Sequence, residues 1–73
     1  MKRFGEKLRA LREYYGLSYR QLGAELGYDN SHFVKIESGR GMPSAELIVK
    51  IAKYFEVSFD ELMDDEVELD LRP

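Results

Sequence analysis

A chain of 73 residues with 44% apolar content has room for one small helical core and buries only about 60% of its unfolded surface. It contains no Cys, which excludes disulfides and thiolate metal sites, and no apolar run approaches the ~20 residues of a membrane span. The net charge of −3 hides an asymmetry: residues 1–40 carry eight Lys/Arg against five Asp/Glu, net +3, whereas residues 41–73 carry three against nine, net −6.

Phe4, Leu8, Leu11 and Tyr15 fall on one stripe and predict a first helix over about residues 3–15, closed by Gly16. Lys2, Arg3, Lys7, Arg9 and Arg12 occupy its other faces and, Arg12 excepted, read as a solvated basic surface. Ser18 is placed to cap a second helix. Gln21 completes a capping box and Leu17 staples to Leu22. Leu22 and Leu26 share one face, small Gly23 leaves room for a crossing helix, and Gly27 suits a sharp reversal. Asp29 caps a third helix over about residues 30–38, with Tyr28 stapled to Phe33; it buries Phe33 and Ile36 and stops at Gly39. Gly41 and Pro43 mark a loop. Ser44 caps a fourth helix whose Leu47, Ile48, Ile51, Ala52 and Phe55 form a wide buried stripe. Ser58 and Glu61 form a second capping box, stapled by Val57 and Leu62, for a short fifth helix over about residues 59–63. The remaining DDEVELDLRP is acidic, with Val67, Leu69 and Leu71 alternating. Mutual repulsion favours a disordered tail, and the alternation allows an arm that contacts a second chain. The expectation is an all-α, five-helix domain over residues 1–63 followed by an acidic tail over 64–73, disordered or dimer-contacting.

The bent pair SYRQLGAELGYDNSHFVKIESG, with GEKLRALREYYGLS before it and ESGRGMPSAELIVKIAKYFEVSFDELM after it, resembles the helix-turn-helix of the phage repressor and Cro-type, or XRE-like, DNA-binding domains. On the third helix, the face opposite Phe33 and Ile36 carries Asn30, Ser31, Val34, Lys35 and Ser38. Asn can bond adenine twice on its major-groove edge, Lys can donate to guanine or phosphate, and Val can pack on a thymine methyl. The resemblance puts Asn30, Ser31 and Lys35 on base-reading positions, with Val34 beside them. It puts Tyr19 and Arg20, with the cap Ser18 as a further phosphate contact, where a helix start contacts phosphate, and Arg40 at a phosphate position after the third helix. His32, at the margin, is a further backbone contact. Arg12 matches an arginine that pairs with the glutamate ending the recognition helix, here Glu37. One residue departs from the family pattern: Tyr19 stands where Gln is common, and a phenol donates to phosphate without copying an amide's two-way bonding.

The resemblance implies a sequence-specific, double-stranded DNA-binding transcriptional regulator of repressor type, with the helix over residues 29–38 in the major groove. One module covers only ~600–1,000 Å², and helix-turn-helix proteins commonly bind as dimers on half-sites ~34 Å apart. A homodimer on a palindromic operator is therefore expected, with Tyr54, Met63 and the alternating tail residues as the available apolar groups. The alternative is an antitoxin-like or other protein-interaction module whose acidic C-terminal half binds a basic partner. One His, no Cys and no glycine-rich phosphate loop argue against an enzyme, and GRGMPS reads as a turn. No cofactor, metal or membrane is implied, and the charged first twenty residues are unlike a secretion signal, so a cytoplasmic location is expected.

Overall fold

Every helix after the first begins at a side-chain cap. A computed structural model describes residues 2–71 and contains α1 (Phe4–Tyr14), α2 (Tyr19–Leu26), α3 (Asn30–Glu37), α4 (Ala45–Phe55) and α5 (Phe59–Met63). Ser18 Oγ accepts from the Gln21 N–H at 3.1 Å while Gln21 Oε1 accepts from the Ser18 N–H at 2.8 Å. Ser58 and Glu61 repeat this reciprocal box at 3.0 Å both ways. Asp29 accepts from the Ser31 N–H, and Ser44 from that of Leu47. Each device satisfies donors that a helix start leaves unpaired.

The core is continuous. Phe4, Leu8 and Leu11 of α1 meet Leu22 and Leu26 of α2, Phe33 and Ile36 of α3, Leu47, Ile48, Ile51 and Phe55 of α4, and Leu62 of α5, all buried. The angle between α2 and α3 is set at two glycines. Gly27 takes a left-handed φ of 77° that reverses the chain. A Cβ on Gly23 would lie 2.5 Å from the Tyr28 carbonyl oxygen, so only glycine lets the turn pass so close to α2. One backbone feature has no glycine to announce it: Glu56 ends α4 with a left-handed φ of 54°.

One expectation is corrected on α1: Lys7 is not part of a solvated face. It is 1% exposed, and its ammonium donates to the carbonyls of Glu61, Asp64 and Val67, each at 2.6 Å. An ammonium has three donors, and all three are satisfied. Residues 64–71 fold back along α1, and residues 72–73 of the expected tail lie outside the described residues. Asp65 accepts from the backbone N–H groups of Lys2 and Arg3, both at 2.9 Å, and so caps the one helix whose own N-cap residue supplies no side-chain bond. Arg3 Nη1 donates to the Asp65 carbonyl and, with Nη2, to the Glu68 carboxylate. Leu69 and Leu71 pack against the core. These bonds hold the Asp65 and Glu68 carboxyls below the usual carboxylate range, Asp65 through the two backbone N–H groups and Glu68 through Arg3.

Candidate nucleic-acid interface

Helical periodicity divides α3 cleanly. Phe33 and Ile36 are buried, while Asn30, Ser31, Val34 and Lys35 are exposed on the opposite side. The structure thus brings together the four residues singled out for base reading. Ser31 turns back toward its helix start, and its hydroxyl donates to Asp29 Oδ1 at 2.8 Å beside the cap bond from its own N–H at 2.9 Å. Those two bonds hold the Asp29 carboxyl below its ordinary range, the backbone one foremost.

The flanking residues form two groups. Ser18 and Arg20 are exposed at the start of α2, where the helix dipole favours an anion. Beyond the end of α3, the Ser38 hydroxyl donates to the Lys35 carbonyl, and Arg40 Nε donates to that hydroxyl at 3.0 Å, which holds the exposed guanidinium beside the helix end. His32 is half-buried. Its ring stacks on Tyr28 with centroids 5.7 Å apart and an interplanar angle of 13°. Lys50 of α4 lies 5.2 Å from the Tyr28 ring centroid and donates to the Leu26 carbonyl, tying α4 to the α2–α3 turn. The aromatic spacing of 28 and 32 was a local signal for this stack; the approach of Lys50 was not visible in sequence.

Arg12, Tyr19 and Glu37 meet where α1, α2 and α3 converge. Arg12 donates Nε to Glu37 Oε2 at 2.8 Å and Nη2 to Oε1 at 3.1 Å, and its Nη1 donates to the Leu17 carbonyl. Glu37 is 4% exposed at its side chain. The two-pronged geometry is the strong form of the carboxylate–guanidinium contact. Tyr19, placed by resemblance at a phosphate position, donates its hydroxyl to Glu37 Oε1 at 3.0 Å, and the Arg12 guanidinium lies 4.1 Å from the centre of its ring. The bond to Glu37 raises the Tyr19 phenol and Arg12 above their ordinary values.

The apolar groups proposed for a dimer contact are differently arranged from the expectation. Met63, Leu69 and Leu71 pack inward, whereas Tyr54 is exposed. Phe59, at the start of α5, is 55% exposed. Tyr15 stacks on Phe55 at 5.5 Å, and Tyr54 meets Phe55 edge-on at 5.0 Å, so aromatic surface extends from the end of α1 to the end of α4. Among the described residues no group of three or more His, Asp or Glu is placed to hold a metal ion, and no helix is long and apolar enough to cross a membrane.

A family model described as a helix-turn-helix domain matches residues 3–65. The HTH-type transcriptional activator BcrR of Enterococcus faecalis is 40% identical over 63 residues, 86% of this chain and 31% of that protein. The cryptic phage CTXphi transcriptional repressor RstR of Vibrio cholerae is 38% identical over 72 residues, 92% of this chain and 64% of that protein. The chain therefore spans less than two thirds of the length of either relative. Among solved structures, the restriction-modification controller protein C.AhdI from Aeromonas hydrophila superposes with a TM-score of 0.75 at 34% identity, over 85% of this chain and 94% of that one. A transcriptional regulator from Listeria innocua reaches a TM-score of 0.79 at 30% identity, over 90% of this chain and 62% of that one.

Proposed function

The chain belongs to the helix-turn-helix domain family of the phage repressor and Cro type, and from that premise we propose that it is a sequence-specific, double-stranded DNA-binding regulator of transcription. The observation that carries the proposal is the division of α3: two buried residues hold the helix, and four exposed ones face away from the core. In the major groove Asn30 pairs with adenine, Lys35 with guanine, Val34 packs on a thymine methyl, and Ser31 completes the reading face. Arg20, Arg40, Ser18 and His32 contact phosphates and fix the register. The chain binds as a homodimer on a palindromic operator, with Tyr54 and Phe59 at the subunit contact, both exposed aromatic residues. Its effect is repression by occupancy, which needs no surface beyond the one that grips the duplex. It works in the cytoplasm and performs no catalysis. The antitoxin-like reading has less support, because the tail carboxylates of Asp65 and Glu68 bond to the chain's own N-terminal segment.

The test is selection of bound duplexes from a random pool, followed by binding of Asn30→Ala and Lys35→Ala variants. The expected site is a palindrome, and each variant relaxes choice at one base pair per half-site by about 1–3 kcal/mol with helicity unchanged. Failure to enrich any sequence, or an unaltered preference in the double variant, refutes the proposal.

A further inference from the structure

We infer that Tyr19 is a positioning residue for α3 and not a phosphate contact; this rests on the DNA-binding reading above. A phenol carries one proton, and Tyr19 donates it in a hydrogen bond to Glu37 Oε1, oxygen to oxygen 3.0 Å. A phosphate oxygen only accepts, so a phosphate facing Tyr19 meets lone pairs. Anion contact at the start of α2 falls instead to the first-turn backbone N–H groups and Arg20.

What Tyr19 holds is the end of the reading helix. Glu37 is the last residue of α3, and its carboxylate receives two bonds from α1 through Arg12 and one from α2 through Tyr19. The Tyr19 ring lies beneath the same guanidinium, 4.1 Å from the centroid, so one side chain supports both members of the ion pair. The carboxylate is nearly closed to water, where such bonds are strong and mutually reinforcing. Asn30 lies seven residues from this anchor, about 10 Å along the helix axis. A swing of about 5° at Glu37 therefore moves Asn30 by about 1 Å, enough to break a bond with an optimum near 2.9 Å. Tyr19 thus governs discrimination among sequences and leaves general attraction to DNA untouched.

The test compares wild type and Tyr19→Phe, which keeps the ring and removes the hydroxyl, on the selected operator and on an unrelated duplex, below the unfolding temperature of both proteins. Operator affinity falls about 3- to 10-fold, while affinity for the unrelated duplex stays within about twofold. On a Glu37→Ala background, which removes the acceptor, the same change has little further effect, within about twofold. A parallel fall on both duplexes, an undiminished loss on the Glu37→Ala background, or no loss on the operator overturns the inference. Wild type that does not distinguish the two duplexes refutes the regulatory proposal instead. In that case an unrelated-duplex affinity that drops in Tyr19→Phe still overturns the role of Tyr19, and an unchanged one supports the absence of a phosphate contact.

Discussion

Replacing Lys7 by Met tests how the acidic tail is held. Met keeps the length of the side chain and its fit to an apolar wall, but it removes the donor shared by the carbonyls of Glu61, Asp64 and Val67. Each hydrogen bond from a charged donor contributes about 1.5–3 kcal/mol, while burying the ammonium costs several kcal/mol. The intact arrangement is therefore only modestly favourable. The variant is worse, because three acceptors are left facing a thioether at about 1–3 kcal/mol each if they stay dry. They need not stay dry, since residues 64–71 can lift into water at the expense of the contacts of Leu69 and Leu71 with the core. That escape limits the loss to about 2–4 kcal/mol. In a domain of this size 1 kcal/mol moves Tm by about 4–8 °C, so a fall of about 8–32 °C is expected. Circular dichroism melts read the stability. Amide exchange at Asp70, whose N–H donates to Glu61 at 3.0 Å, reads the tail. A Tm within about 3 °C of wild type, with the Asp70 amide still protected, would show that the buried ammonium does not hold the tail.

Gly23→Ala forces a methyl against the Tyr28 carbonyl, so stability drops by about 1–3 kcal/mol and DNA affinity falls with it; a melt and a binding curve in parallel check both. Arg20 and Arg40 are the exposed cations assigned to phosphate in the proposed interface, so log K against log salt for a dimer should have a slope of about −4. Arg40→Ala should flatten that slope by about one per protomer while leaving base preference alone. Acid should release the tail. The Asp65, Glu68 and Glu61 carboxyls have folded-state values below their ordinary ones of 3.8, 4.5 and 4.5. Their contribution is complete above those ordinary values and is lost as pH falls through the lowered ones. Tm should hold steady from pH 7 to about 5 and then decline below about 4; a wild-type decline matched by an Asp65→Asn, Glu68→Gln variant would exclude the tail as its source.

The helices were legible because their signals are local. Ser18, Asp29, Ser44 and Ser58 each cap the helix that follows, and the Ser18–Gln21 and Ser58–Glu61 boxes are both formed. The division of α3 also followed from periodicity, since Phe33 and Ile36 fix one face and therefore the other. What escaped notice depends on residues far apart in the chain. Lys7 lies three residues after Phe4 and four before Leu11, squarely on the apolar face. The stripe hinted at its burial, but its acceptors are more than fifty residues away. Repulsion within the tail is offset by distant partners: the Lys2 and Arg3 N–H groups for Asp65, the Arg3 guanidinium for Glu68, and Lys7 for the Asp64 and Val67 carbonyls. The bond from Tyr19 to Glu37 spans eighteen residues, and a position in a family pattern carries no information about where a hydroxyl points. The left-handed Glu56 had no glycine to mark it.

The way α3 is fastened has a consequence for how new specificities arise. Phe33, Ile36 and Glu37 attach the helix to the rest of the molecule, and none of them lies among Asn30, Ser31, Val34 and Lys35. Substitutions at such exposed sites typically alter stability by no more than about 0.5 kcal/mol. Those four positions can therefore drift or be rewritten as a set, like interchangeable type in a fixed frame, while the scaffold that presents them stays under separate selection.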